Sequence, residues 1–120
     1  MSCFAPWTQA GAPTLIADNG AHGSWVMGRE LTDWAALDPL EIAVTVHVSG
    51  MEPLPGRGGA VDGGAFGATA WLANKLAGEG RGLKAGEYVS TGTTTTPIPL
   101  QAGCKIEADF GRLGTVSLTT

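Results

Sequence analysis

The sequence predicts a single α+β domain that is mainly β, with one principal helix over about residues 65–78, and three observations carry that prediction. From Leu40 to Val48 apolar and polar residues alternate, the period of a half-buried strand. From Phe66 to Ala77 the apolar period lengthens to that of a helix. Elsewhere glycine, 19 of 120 residues, and seven prolines cut the chain into short runs that suit strands and turns.

Residues 1–13 hold Cys3, Phe4, Pro6, Trp7 and Pro13 among small residues, and without a period they read as an irregular leader to a domain over 14–120. Thr14–Ala17 is a short β-prone run closed by the turn signal Asp18-Asn19-Gly20. Trp25-Val26-Met27, stopped by Gly28, reads as a second short strand. In the clearest strand, Leu40, Ile42, Val44, Val46 and Val48 share one face, and Glu41, Ala43, Thr45 and His47 the other. Met51–Val61, with two prolines and three glycines, can return only as an irregular or edge strand.

In the helix, Phe66, Thr69, Ala70, Ala73, Leu76 and Ala77 follow the i, i+3, i+4, i+7 course, flanked by Trp71 and Leu72, and Gly78 and Gly80 punctuate its end. Leu83–Val89 reads as a turn running into a strand, and Thr91–Thr96 as a threonine tract closed by Pro97 and Pro99. Cys104–Phe110 and Thr115–Thr119, joined through Gly111 to Gly114, make a hairpin. These segments amount to one helix among about six or seven strands.

The formal charge of −4, from seven basic and 11 acidic residues, argues against nucleic-acid and anionic-membrane partners, which favour a basic patch. No apolar run reaches the length of a membrane span, and the first residues lack the pattern of a secretory signal, so a cytoplasmic protein is expected. Cys3 and Cys104, far apart and outside any CxxC spacing, suit neither a zinc site nor a disulfide scaffold.

Two clusters offer chemistry. Asp18, Asn19 and His22 gather a carboxylate, an amide and an imidazole within five positions of a glycine-flanked loop, where they can orient a substrate and move a proton. The plainer alternative is a turn whose Asp and Asn bond their own backbone. Thr91, Gly92, Thr93 and Thr95 provide hydroxyls and backbone N–H groups able to bind a carboxylate, against the alternative of a solvated β edge. Gly56-Arg57-Gly58-Gly59 lacks the GK[ST] and the following helix of a phosphate loop. His47 falls on the polar face of its strand, and Glu107 and Asp109 share a face without a third carboxylate, so no metal site is expected within the chain.

Taken in order, several segments resemble the C-terminal half of the 2-keto-4-pentenoate hydratase and 4-oxalocrotonate decarboxylase family, within the fumarylacetoacetate hydrolase-like fold. They are Ala17-Asp18-Asn19-Gly20-Ala21-His22-Gly23 with Val26-Met27-Gly28, then Ala70-Trp71-Leu72-Ala73-Asn74-Lys75-Leu76-Ala77, then Gly82-Leu83-Lys84-Ala85-Gly86, Thr91-Gly92-Thr93-Thr94-Thr95-Thr96-Pro97 and Ala108-Asp109-Phe110-Gly111-Arg112-Leu113-Gly114. The likeness runs from about residue 14 to 119. It implies a mixed β-roll or sandwich of the fumarylacetoacetase C-terminal type, and a lyase acting on 2-hydroxydienoates or 2-oxo diacids in aromatic catabolism. It also implies a Mg²⁺ or Mn²⁺ ion chelated by the substrate's 2-oxo and carboxylate oxygens. In the family three glutamates hold that ion, all before the Ala-Asp-Asn motif, so the resemblance implies that the ligands of the ion are not found in this chain.

By the same resemblance Asp18, Asn19 and His22 are the candidate catalytic group, and Thr91, Gly92, Thr93 and Thr95 the carboxylate-binding loop. Two departures stand out: Ala21-His22 where many members carry Ser, and Ala65-Phe66-Gly67 in place of the Pro-x-Asn before the helix. Two functions remain in view. One is a hydratase or decarboxylase component needing a complementary N-terminal half, the other a non-catalytic remnant serving as a small binding or assembly module. A homo-oligomer covering otherwise exposed apolar surface is expected as a further partner state.

Overall fold

The computed structural model describes residues 9–99 and 101–120. Its centre is one four-stranded antiparallel sheet with few helices, a mixed α+β and mainly β arrangement. The strands are β1 (Ala43–Val48), β2 (Leu54–Arg57), β3 (Lys105–Asp109) and β4 (Thr115–Thr119), in the order β2-β1-β3-β4. The helices are α1 (Ala12–Ala17) and α2 (Gly64–Gly78), and short 3-10 turns punctuate the connections.

The alternation in β1 is realised. Val44, Val46 and Val48 are buried with Ile106 of β3, while Ala43 and His47 face outward. Ile42, Leu54, Ile98, Cys104, Ala108 and Phe110 pack around these four, so the core lies on one face of the sheet. The opposite face is polar: His47 pairs across to Glu107, and Glu107 to Ser117. Cys104 is a free thiol, half-buried against that core, whereas Cys3 and Trp7 of the leader lie outside the described residues.

The expected edge strand is β2, the expected hairpin is β3–β4 with a 3-10 turn over Gly111–Leu113, and the expected helix is α2. Three expectations are overturned. Thr14–Ala17 is helical, not extended, because Pro13 sits in the first turn of α1, where its fixed φ and missing N–H suit a helix start. Trp25-Val26-Met27 and Tyr88-Val89 form no ladder, so among the described residues four strands replace the six or seven expected. What these runs touch is side chain: the Trp25 and Tyr88 rings meet at 4.8 Å, and Gly28 lies against the Val116 side chain.

Helix α2 is rotated by about one position from the expected stripe. Ala65, Ala68, Thr69, Leu72, Ala73 and Leu76 are half-buried, while Phe66, Ala70, Trp71 and Ala77 are exposed. The helix is apolar on nearly every side, with Asn74 and Lys75 its strongest polar residues, a composition that ordinarily belongs to a helix covered all round. Exposure is general. The accessible surface of 8787 Å² exceeds the about 6,100 Å² of a folded monomer of this mass. The radius of gyration, 15.7 Å, likewise exceeds the about 13.6 Å of a compact domain of this length.

Candidate active site

A cleft of about 1040 Å³ opens above the β1–β2 side of the sheet. Ile42, Val44, Gly58, Val61, Ala65, Phe110 and Leu113 contribute apolar lining. Two loops supply its polar wall: Asn19, Gly20 and His22 from the first, and Ser90, Thr91, Gly92, Thr93 and Thr94 from the second. The two clusters singled out in the sequence, about 70 residues apart, therefore face one cavity.

The first loop is set by backbone geometry. Asp18 caps α1, its N–H donating to the Thr14 carbonyl at 2.9 Å. Asn19 then adopts φ +52°, a left-handed conformation that Asn tolerates better than most side chains, and Gly20 follows at φ +67°. The reversal closes when the His22 N–H donates to the Asn19 carbonyl at 3.2 Å. Asn19 and His22 are both exposed at the cleft mouth, whereas Asp18 is half-buried and does not line it.

The second loop is pinned to the sheet. The Thr94 carbonyl accepts the Arg57 N–H of β2 at 3.2 Å, and the Thr94–Thr95 backbone lies where a side chain on Gly56 would project. Only glycine at position 56 leaves that space. Gly92, at φ +133°, is a second glycine the loop needs, and it lies against Val61. Thr91 and Thr94 are half-buried, Gly92 and Thr93 exposed. Thr95 does not line the cleft; its methyl packs toward Gly56.

Between the loops the Trp25 and Tyr88 rings, tilted by 47°, bridge the cleft mouth. Trp25, Tyr88 and Ser90 were not singled out from the sequence. The aromatic pair carried a signal only as isolated rings flanked by glycine, which does not reveal a contact 63 residues apart.

The lining contains one imidazole, one amide and several hydroxyls, and no carboxylate. Among the described residues no group of three or more His, Cys, Asp or Glu side chains could hold a metal ion. Glu107 and Asp109 belong to β3, on the polar side of the sheet away from the buried valines. The donor set of the cleft therefore does not fit an oxygen-ligated divalent cation, but it does fit a carboxylate: hydroxyl and amide donors above an apolar floor. No helix of the described residues is long and apolar enough to cross a membrane.

No protein-family model matches the chain. Similar proteins are the 2-hydroxyhexa-2,4-dienoate hydratase of Comamonas testosteroni, 36% identical over 86% of this chain, and the 4-oxalocrotonate decarboxylase of Pseudomonas sp. strain CF600, 31% identical over 87%. The 2-keto-4-pentenoate hydratase of Burkholderia vietnamiensis is 30% identical, also over 87%. The chain spans about two fifths of the length of these curated relatives: 39%, 39% and 40%.

Proposed function

The chain is homologous to part of the 2-keto-4-pentenoate hydratases and 4-oxalocrotonate decarboxylases, and on that premise we propose that its cleft is one wall of a lyase site for 2-hydroxydienoates or related 2-oxo acids. In this reading the sheet is part of a β-roll of the fumarylacetoacetase C-terminal type. The observation that carries the proposal is the convergence of Asn19 and His22 with Thr91–Thr94 on a single cleft whose floor is apolar.

The substrate has a charged carboxylate at one end and an unsaturated carbon chain at the other. The hydroxyls of Thr91 and Thr93, with the free N–H groups of the Gly92 turn, donate to the carboxylate. Ile42, Val44, Val61 and Phe110 cover the carbon chain. Asn19 fixes the oxygen next to the carboxylate, and the His22 imidazole, at the cleft mouth, takes or gives the proton at the far carbon. Asp18 and Thr95, outside the lining, act as positioning residues: Asp18 by capping α1 ahead of Asn19, Thr95 by seating the loop on Gly56.

The described residues offer no cation site, so no step is assigned to a metal here. Carboxylates for a divalent cation, if the reaction uses one, come from a complementary N-terminal half rather than from these loops. In the second reading the same cleft serves a binding or assembly module without turnover.

Titration of the ¹⁵N-labelled chain with 2-oxopentanoate tests the shared element of the proposal. Shifts confined to Asn19, His22 and Thr91–Thr94 support it. Shifts spread over the polar sheet face around His47, or none at saturating ligand, overturn it.

A further inference from the structure

The two edges of the sheet differ, and the hydrogen bonds show how. In β2 the even-numbered residues point their backbone groups at β1, as Gly58 N–H to Ile42 carbonyl shows, so Pro55 and Arg57 face outward. Neither offers a free donor: Pro55 has no N–H, and the Arg57 N–H is taken by the Thr94 carbonyl. This edge is blocked by proline and by a covering loop, two usual devices against strand pairing.

The β4 edge has neither. Phe110 N–H donates to Gly114 and Thr120 N–H to Cys104, so Val116 and Leu118 turn their backbone groups toward β3. Thr115, Ser117 and Thr119 therefore direct theirs outward, and no described residue pairs with them. The strand Thr-Val-Ser-Leu-Thr has no charge, no proline and no bulge. Its apolar side continues into exposed surface: Leu118 is 37% exposed, and Val26 and Met27, next to the Gly28 that lies against Val116, are 46% and 57% exposed.

We propose that β4 pairs antiparallel with β4 of a second copy of this chain about a two-fold axis at Ser117, joining the two sheets into one of eight strands. The strand is self-complementary in that register. Ser117 exchanges both backbone hydrogen bonds with the partner's Ser117, and Thr115 does so with the partner's Thr119. Val116 then stands opposite the partner's Leu118 on the apolar face, in the closer, non-hydrogen-bonded type of pair. Such a contact is isologous, and because the β2 edge is blocked it closes at two chains instead of propagating.

Leu118, Val26 and Met27, each more than a third exposed, supply apolar surface beside the edge for the second copy to cover. The dimer does not depend on the lyase reading, since β4 lies outside the cleft lining.

Ser117→Lys is the test, read by light scattering and sedimentation. It puts two ammonium groups against each other across the axis, while within one chain the new lysine lies opposite Glu107, an arrangement that favours the hairpin. The wild type is expected at twice 12.2 kDa and Ser117→Lys at 12.2 kDa, with unchanged far-ultraviolet circular dichroism. An equal mixture of Ser117→Lys and Ser117→Asp chains is expected to recover the dimer mass, which a merely misfolded variant could not do. A wild type that stays at 12.2 kDa at its highest soluble concentration overturns the proposal. So does a dimer that Ser117→Lys leaves intact, or a mixture that stays monomeric.

Discussion

The Arg57 N–H donates to the Thr94 carbonyl at 3.2 Å, and this one bond makes the threonine loop an extension of the sheet. The donor that β2 would otherwise offer to solvent holds the polar wall of the cleft in place. Gly56 permits the contact and Pro55 removes the competing donor beside it.

Gly56→Val therefore dislodges the loop. The new side chain meets the Thr94 carbonyl and the Thr95 methyl, and relief requires the loop to move off β2. Urea unfolding is expected to show a loss of about 1–3 kcal/mol, and amide shifts are expected throughout residues 91–95.

Val46→Ala measures the small core. Val46 is 9% exposed among Val44, Val48 and Ile106, and removing its two methyl groups is expected to lower stability by about 2 kcal/mol in denaturant unfolding. His47→Ala, one residue along on the exposed face, is expected to stay within about 0.5 kcal/mol of the wild type.

Trp25 and Tyr88 are coupled across the cleft mouth. A double-mutant cycle with Trp25→Ala and Tyr88→Ala is expected to give an interaction of about 0.5–1.5 kcal/mol. A coupling near zero would mean that the rings do not hold the two loops together in solution.

With no ligand trio among the described residues, Mg²⁺, Mn²⁺ and EDTA are each expected to leave the melting temperature of the chain unchanged. A rise of several degrees with either cation would reveal a site that these residues do not form.

What was legible in the sequence follows the range of each interaction. The alternation in β1, the period of α2 and the glycine-bounded hairpin are local patterns, and each element stands where its pattern lies. The runs at Thr14–Ala17, Trp25–Met27 and Tyr88–Val89 had β-prone composition too, but a strand also needs a partner in register. Pro13 drew the first into a helix, and the other two meet through their rings. In the site, the residue types of both clusters were legible. Their meeting was not, because it depends on an Arg57–Thr94 bond and a Trp25–Tyr88 contact between segments far apart in the chain.

Hydration of 2-hydroxypenta-2,4-dienoate by a chimera tests the central claim most directly. In it, this chain replaces the homologous two fifths of the Comamonas testosteroni hydratase. The account predicts Mg²⁺-dependent turnover by the chimera, a fall of about 10-fold or more on Thr93→Val, and none by the chain alone. A folded chimera without activity, or Mg²⁺-dependent turnover by the isolated chain, would contradict it.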